Sequence, residues 1–78
     1  MEHPTTTTIR EVAARDGHLG VNARHVHGFI LIAHGTTDHL SKDQIRDEVR
    51  LFVAERDREG GEFDAVMESN ALSYGLTA

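Results

Sequence analysis

The fold depends on the structure of residues 22–35, which read NARHVHGFILIAHG and contain the most apolar run of the 78-residue chain. Periodicity alone is compatible with either a buried strand or a helix over this segment. Asn22 is a favourable N-cap and Gly35 is a favourable residue just beyond a helix C-terminus. Apolar side chains then share one helical face at Val26, Phe29, Ile30 and Ala33. We therefore predict a helix over residues 23–34, with a strand as the alternative.

Upstream of this segment, the chain changes character at Thr8. Residues 1–7 contain the only proline and begin a run of four threonines, so we predict a flexible N-terminal arm. Ile9 and Val12 then follow helical spacing, which predicts a short helix over residues 8–16 with a glycine just beyond its end.

Downstream, two further helices are predicted. Ser41 and Gln44 match the S-x-x-Q capping box, and Gly60 ends the helix that follows. Ion pairs between residues three apart are expected on its exposed face at Asp43–Arg46, Asp47–Arg50 and Glu55–Arg58. A last helix runs from Phe63 to a stop at Gly75. Four helices joined by short loops predict an all-α, four-helix bundle-like single domain over residues 8–78.

The composition excludes several classes of protein. The chain has no cysteine, which excludes disulfides and thiolate metal sites. Its formal net charge of −5 disfavours a large phosphate-binding surface, because such surfaces need clustered positive charge. No apolar stretch approaches the roughly 20 residues needed to cross a bilayer, and the N-terminus lacks a signal-peptide pattern. We expect a cytoplasmic protein without a membrane partner.

Five of the six histidines lie within residues 17–39, which raises the question of a metal site. His25 and His27 are two residues apart, a spacing that separates them by about 200° on a helix. Because the chain has neither a His-x3-His pair nor an HExxH motif, we predict no metal ligands and no cofactor. Motifs for nucleophilic catalysis and for phosphate loops are also missing from the sequence, so we expect no enzymatic activity.

One possible function is DNA binding. Residues 8–17, TIREVAARDG, resemble the first helix and turn of the LacI and MerR families of transcription regulators. The resemblance covers ten residues and implies a helix-turn-helix whose second helix enters the major groove. Residues at the start of that helix would then face base edges, and nearby arginines would meet phosphates. The candidate DNA-binding residues are Arg10, Arg15, Asn22, Arg24 and His25.

The function that the sequence favours over DNA binding is protein binding. Helix 23–34 is apolar on more than one face, and in a domain this small one of those faces should reach the surface. The alternative is that the last helix covers Leu31 and Ile32. We therefore expect a non-enzymatic adaptor or regulatory module that binds an unidentified protein and self-associates as a homodimer through this helix. The candidate interface residues are Phe29, Leu31, Ile32, Phe52 and Phe63.

Overall fold

Four α-helices form the fold: α1 (Pro4–Arg15), α2 (Ala23–His34), α3 (Lys42–Glu59) and α4 (Gly61–Ser73). The computed structural model describes residues 2–77, and within this range there is no strand, which confirms the predicted all-α fold. Met1 of the predicted arm and Ala78 at the end of the predicted domain lie outside the described residues. No helix of the described part is long and apolar enough to cross a membrane.

The ends of α2 lie where the sequence predicts them. The Asn22 side chain accepts hydrogen bonds from the backbone N–H groups of Arg24, at 3.0 Å, and His25, at 3.3 Å. At the other end, Gly35 adopts the left-handed conformation with φ of 76°, and its N–H donates to the carbonyl of Leu31 at 2.8 Å. These caps satisfy backbone groups that a helix terminus leaves without partners. They explain why the apolar segment forms a helix.

Helix α1 begins four residues earlier than predicted. Pro4 occupies its first turn, where a missing N–H costs nothing, and His3 is the N-cap, its ring nitrogen accepting from the N–H of Thr5 at 3.0 Å. Thr5 and Thr6 are buried. The second half of the predicted arm, residues 1–7, therefore belongs to the helical domain.

Helices α2 and α3 each pack against all the others, whereas α1 and α4 do not contact each other within the described residues. The contacts between α2 and α4 follow the same order along both helices, from Arg24 with Glu68 to Leu31 with Tyr74. The two helices therefore run in the same general direction, and their C-terminal ends adjoin. Between these contacts the helices approach closely, because a Cβ atom on Gly28 would lie only 3.4 Å from the backbone nitrogen of Ala71.

The core lies between the four helices and draws on each of them. Its buried side chains are Ile9, Val12, Ala13, Ala23, Val26, Ile30, Ile45, Val49, Phe52, Phe63 and Met67. Three aromatic rings meet at its edge, where Phe29 is only partly buried. Phe52 of α3 lies edge-on to Phe29 of α2 at 5.7 Å between ring centroids and to Phe63 of α4 at 5.1 Å. Such edge-on pairs contribute beyond their buried area, so they tie three helices together at one point.

An ion-pair cluster joins α1 to α3. Asp16, at the end of α1, accepts from Arg46 Nη2 at 2.6 Å and lies 3.4 Å from Arg50 Nε. The hydrogen bonds from Arg46 lower the pKa of Asp16, and the positive charge of Arg50 acts in the same direction. The predicted pairs of these arginines with Asp43 and Asp47 are wrong, whereas the predicted Glu55–Arg58 pair is present. The Asp16 side chain is only 10% exposed, whereas Asp43 and Asp47 are exposed, so water and salt screen the charge of Asp16 less.

Substitution of Gly28 tests the close approach of α2 to α4. We expect Gly28→Ala to raise the free energy of unfolding by up to about 1 kcal/mol, because alanine favours the helix and its methyl group would meet Ala71 at ordinary contact distances. Gly28→Leu should lower it by about 1–3 kcal/mol, because the longer side chain would force the helices apart. Urea denaturation measures both. Equal effects of the two substitutions would contradict the close packing.

Substitution of aspartates tests the ion-pair cluster. Asp16→Asn should lower the urea midpoint, because it removes the carboxylate that both arginines contact. Asp43→Asn is the matched control, since it removes the same charge from the same neighbourhood without disturbing a contact of Arg46. Its midpoint should stay close to that of the parent. A larger loss for Asp43→Asn than for Asp16→Asn would favour the pairing predicted from sequence.

Candidate functional site

Two of the five predicted interface residues belong to the core instead. Phe52 and Phe63 are only 1% and 8% exposed, so most of each side chain packs inside the domain. Phe29 is partly buried against the same cluster. These three aromatic side chains stabilise the domain, which is the larger energetic role of such residues in a chain this small.

The other two predicted residues lie near the surface at the end of α2. Leu31 is partly buried, whereas Ile32 is 51% exposed. Two residues that were not predicted lie at the adjoining end of α4, Leu72 and Tyr74, which are 64% and 47% exposed. The hydroxyl group of Tyr74 donates to the backbone carbonyl of Leu31 at 3.5 Å, which brings the two helix ends together. We call the exposed apolar side chains at these two helix ends, Ile32, Leu72 and Tyr74, the C-terminal apolar surface.

The C-terminal apolar surface is also the least charged part of the chain. Residues 28–33 of α2 contain no charged side chain, and neither do residues 69–78 at the end of α4 and beyond. Ala33, Ser69 and Ser73 of the same segments are also exposed. Covering the three side chains of the C-terminal apolar surface with another protein should cost little hydration energy, because none of the three carries a charge.

The residues predicted to bind DNA are mostly occupied by contacts within the chain. Arg24 forms an ion pair with Glu68 and donates to the carbonyl of Leu76 at 3.0 Å, and only 13% of its side chain is exposed. The His25 ring lies 2.7 Å from the same carboxylate of Glu68 and is 11% exposed. Asn22 is used as the cap of α2. The start of α2 therefore faces α4, where the helix-turn-helix geometry would require it to face a base edge.

Electrostatics reinforce this contact between α2 and α4. Hydrogen bonds from Arg24, and then from His25, lower the pKa of Glu68 to about 2. The carboxylate therefore stays ionised over the physiological pH range and holds both side chains. A phosphate group would have to displace Glu68 to reach them.

The two remaining DNA candidates differ in their surroundings. Arg10 lines a cleft of about 330 Å³ together with Asn22 and Arg24, and it forms an ion pair with Glu2 at the edge of that cleft. Arg15 is exposed at the last turn of α1 and forms no ion pair within the described residues. Three of the five candidates are thus brought together, but two carboxylates already neutralise the arginines among them.

The histidines of α2 are directed to opposite sides of the helix. His27 is buried against α1, where its Nδ1 shares a hydrogen bond of 3.0 Å with the hydroxyl group of Thr6, and the His3 ring lies 4.9 Å away. His25 faces α4, and His34 contacts Glu48 of α3 at 2.7 Å. No group of three or more potential metal ligands occurs among residues 2–77.

The sequence contained only weak signals for the residues that were missed. Leu72 and Tyr74 follow the last helix pattern, and nothing in their spacing shows that the end of α4 adjoins the end of α2. Glu68 is one of thirteen acidic residues, and no local motif distinguishes it. Comparisons with protein-family models, with curated proteins and with solved structures find no match to this chain.

Acidification tests the burial of His27. Burial, with a smaller effect from the charge of His3, lowers the pKa of His27 below 6.5, so the folded state favours the neutral ring. Its stabilising contribution should be complete above the unfolded pKa of about 6.5 and decline as the pH falls toward the folded value. We therefore expect a smaller difference in urea midpoint between about pH 7.5 and about pH 5.5 for His27→Gln than for the parent.

The control for this measurement is His39→Gln, which removes an exposed histidine. Its pH dependence should match that of the parent, because this substitution leaves the buried His27 and its contact with Thr6 unchanged. The carboxylate-paired histidines of α2 remain in all three proteins and cancel from the comparison. If His27→Gln retains the full pH dependence of the parent, burial of His27 has no part in it.

Proposed function

We propose that this chain is a non-enzymatic protein-binding module that self-associates through the C-terminal apolar surface. The observation that carries the proposal is the exposure of Ile32, Leu72 and Tyr74 on the part of the chain that has no charge. Chains with a formal net charge of −5 repel one another at long range, so they associate most readily where charge is absent. The proposed dimer contact differs from the one expected from the sequence, which lay along helix 23–34. Here α2 contributes only Ile32, and the end of α4 contributes Leu72 and Tyr74.

The size of the surface sets the expected strength of association. A standard interface covers about 800 Å² on each partner, which is about a sixth of the 4809 Å² of accessible surface of this chain. The three apolar side chains must therefore be joined by the uncharged Ala33, Ser69 and Ser73 around them. With so few anchors, we expect a reversible dimer that dissociates on dilution.

Charge placed on this surface should dissociate the dimer. We expect Leu72→Asp to weaken self-association at least about tenfold in sedimentation velocity, because a carboxylate would be buried opposite the same charge on a second copy. Leu19→Asp is the matched control, since Leu19 is 81% exposed and lies in the loop between α1 and α2, away from this surface. It should associate as the parent does. Added salt should strengthen association of the parent by screening its net charge.

Two outcomes contradict the proposal. The first is a parent protein that remains monomeric at high micromolar concentration. The second is equal association of Leu72→Asp and Leu19→Asp, with circular dichroism showing that both are folded.

A further inference from the structure

A second surface lies at the opposite end of α4, where a groove of about 270 Å³ separates its first turns from the end of α3. The floor of the groove is apolar. Phe63 and Met67 supply buried side chains that are 8% and 6% exposed, and Val66 stands at the edge with 53% of its surface in solvent. An open groove with an apolar floor has room for side chains from another molecule.

The rim of the groove is acidic. Glu55 and Glu59 border it on α3, and Glu62 borders it on α4. Arg58 pairs with Glu55 and with Glu59, and its Nη2 lies 2.9 Å from Glu59 Oε1. Glu62 forms no ion pair within the described residues. A single guanidinium group therefore contacts two of the three rim carboxylates. Across residues 55–64 the chain carries five carboxylates and two guanidinium groups, so this end holds much of the net negative charge.

We propose that this acidic groove docks a basic amphipathic segment of a partner protein. Aliphatic side chains of the segment would cover Val66 and Met67, while lysine or arginine side chains would lie against Glu59 and Glu62. Charge complementarity selects this occupant, because a neutral or acidic segment would leave the carboxylates unpaired at the edge of a desolvated contact. It also argues against a second copy bound groove to groove, since two acidic rims would face each other.

The dimensions of the groove fit a segment with regularly spaced anchors. Glu62, Phe63, Val66 and Met67 lie on adjoining rows of α4 at spacings of three and four residues. These residues extend over more than one helical turn, about 7 Å along the axis. Apolar residues at positions three and four apart on a partner helix have the same spacing and can meet them.

This inference goes beyond the proposed self-association, because it uses a different surface and a different partner. The two surfaces lie at opposite ends of α4 and share no residue. A monomeric parent protein that binds the basic segment would contradict the proposed function alone, and a dimer that does not bind it would contradict this inference alone.

The probe for the test is a fluorescently labelled synthetic amphipathic peptide built from leucine and lysine. Its control is the same peptide with every lysine replaced by glutamate. In fluorescence anisotropy with the full chain at low ionic strength, we expect the lysine peptide to bind and the glutamate peptide not to bind. Affinity should fall as salt is added, because the rim charges are exposed to solvent.

Variants separate binding in the groove from general attraction to an acidic protein. Glu59→Gln with Glu62→Gln should weaken binding of the lysine peptide by about tenfold, since two solvent-exposed ion pairs are lost together. Asp43→Asn with Asp47→Asn removes the same charge from the far end of α3, where both residues are exposed. It should change the affinity less than about threefold. Val66→Asn, which removes an apolar contact without changing charge, should also weaken binding, whereas Leu19→Asn should not.

The proposal is overturned if the two double variants lose affinity equally, because net charge and not the groove would then determine binding. It is also overturned if the lysine peptide fails to bind at any concentration tested. Amide chemical-shift mapping of the parent provides an independent measurement. Shifts should concentrate at residues 59–67, and shifts confined to other parts of the chain would exclude the groove.

Discussion

Burial of α2 is the constraint on which the rest of the structure depends. Val26 and Ile30 are completely buried, and His25 and His27 on two other sides of the helix are nearly so. A buried imidazole needs a hydrogen-bonding partner, because the free energy lost when it leaves water would otherwise exceed the free energy gained from its packing contacts. The two histidines point to opposite sides, so two different helices must supply those partners. Thr6 of α1 serves His27 and Glu68 of α4 serves His25.

Packing contacts thus account for the three histidines of α2. His25 and His27 join the central helix to its neighbours, and His34 adds a contact to Glu48 on α3. Because α2 passes between α1 and α4, polar side chains in the middle of an apolar sequence can be accommodated without a metal ion. The same contacts direct Arg24 toward α4, which separates this structure from the arrangement that a DNA-reading helix requires.

Charge is distributed unevenly along α4, and this gives the domain two unlike surfaces. Its first turns carry Glu62 and Asp64 and adjoin the glutamates that end α3, whereas residues 69–78 have no charge. We propose a basic partner for the acidic end and a second copy of the chain for the uncharged end, because no charged side chain of residues 69–78 would be buried there. Both proposals therefore rest on one feature, the segregation of charge along a single helix.

The sequence by itself determined the helices, because caps such as Asn22, the Ser41 capping box and Gly35 act on backbone groups a few residues away. The sequence also contained a local signal for the start of α1, because proline is favoured at the first position of a helix. The predicted flexible arm over residues 1–7 overlooked this signal. Only the tertiary structure decided which side chains meet. Asp16 rather than Asp43 pairs with Arg46, and the rings of three phenylalanines from different helices meet. The ends of α2 and α4 adjoin, and Leu72 and Tyr74 are exposed there. These contacts join residues far apart in the chain, and their geometry depends on how the helices cross, which helical periodicity leaves open.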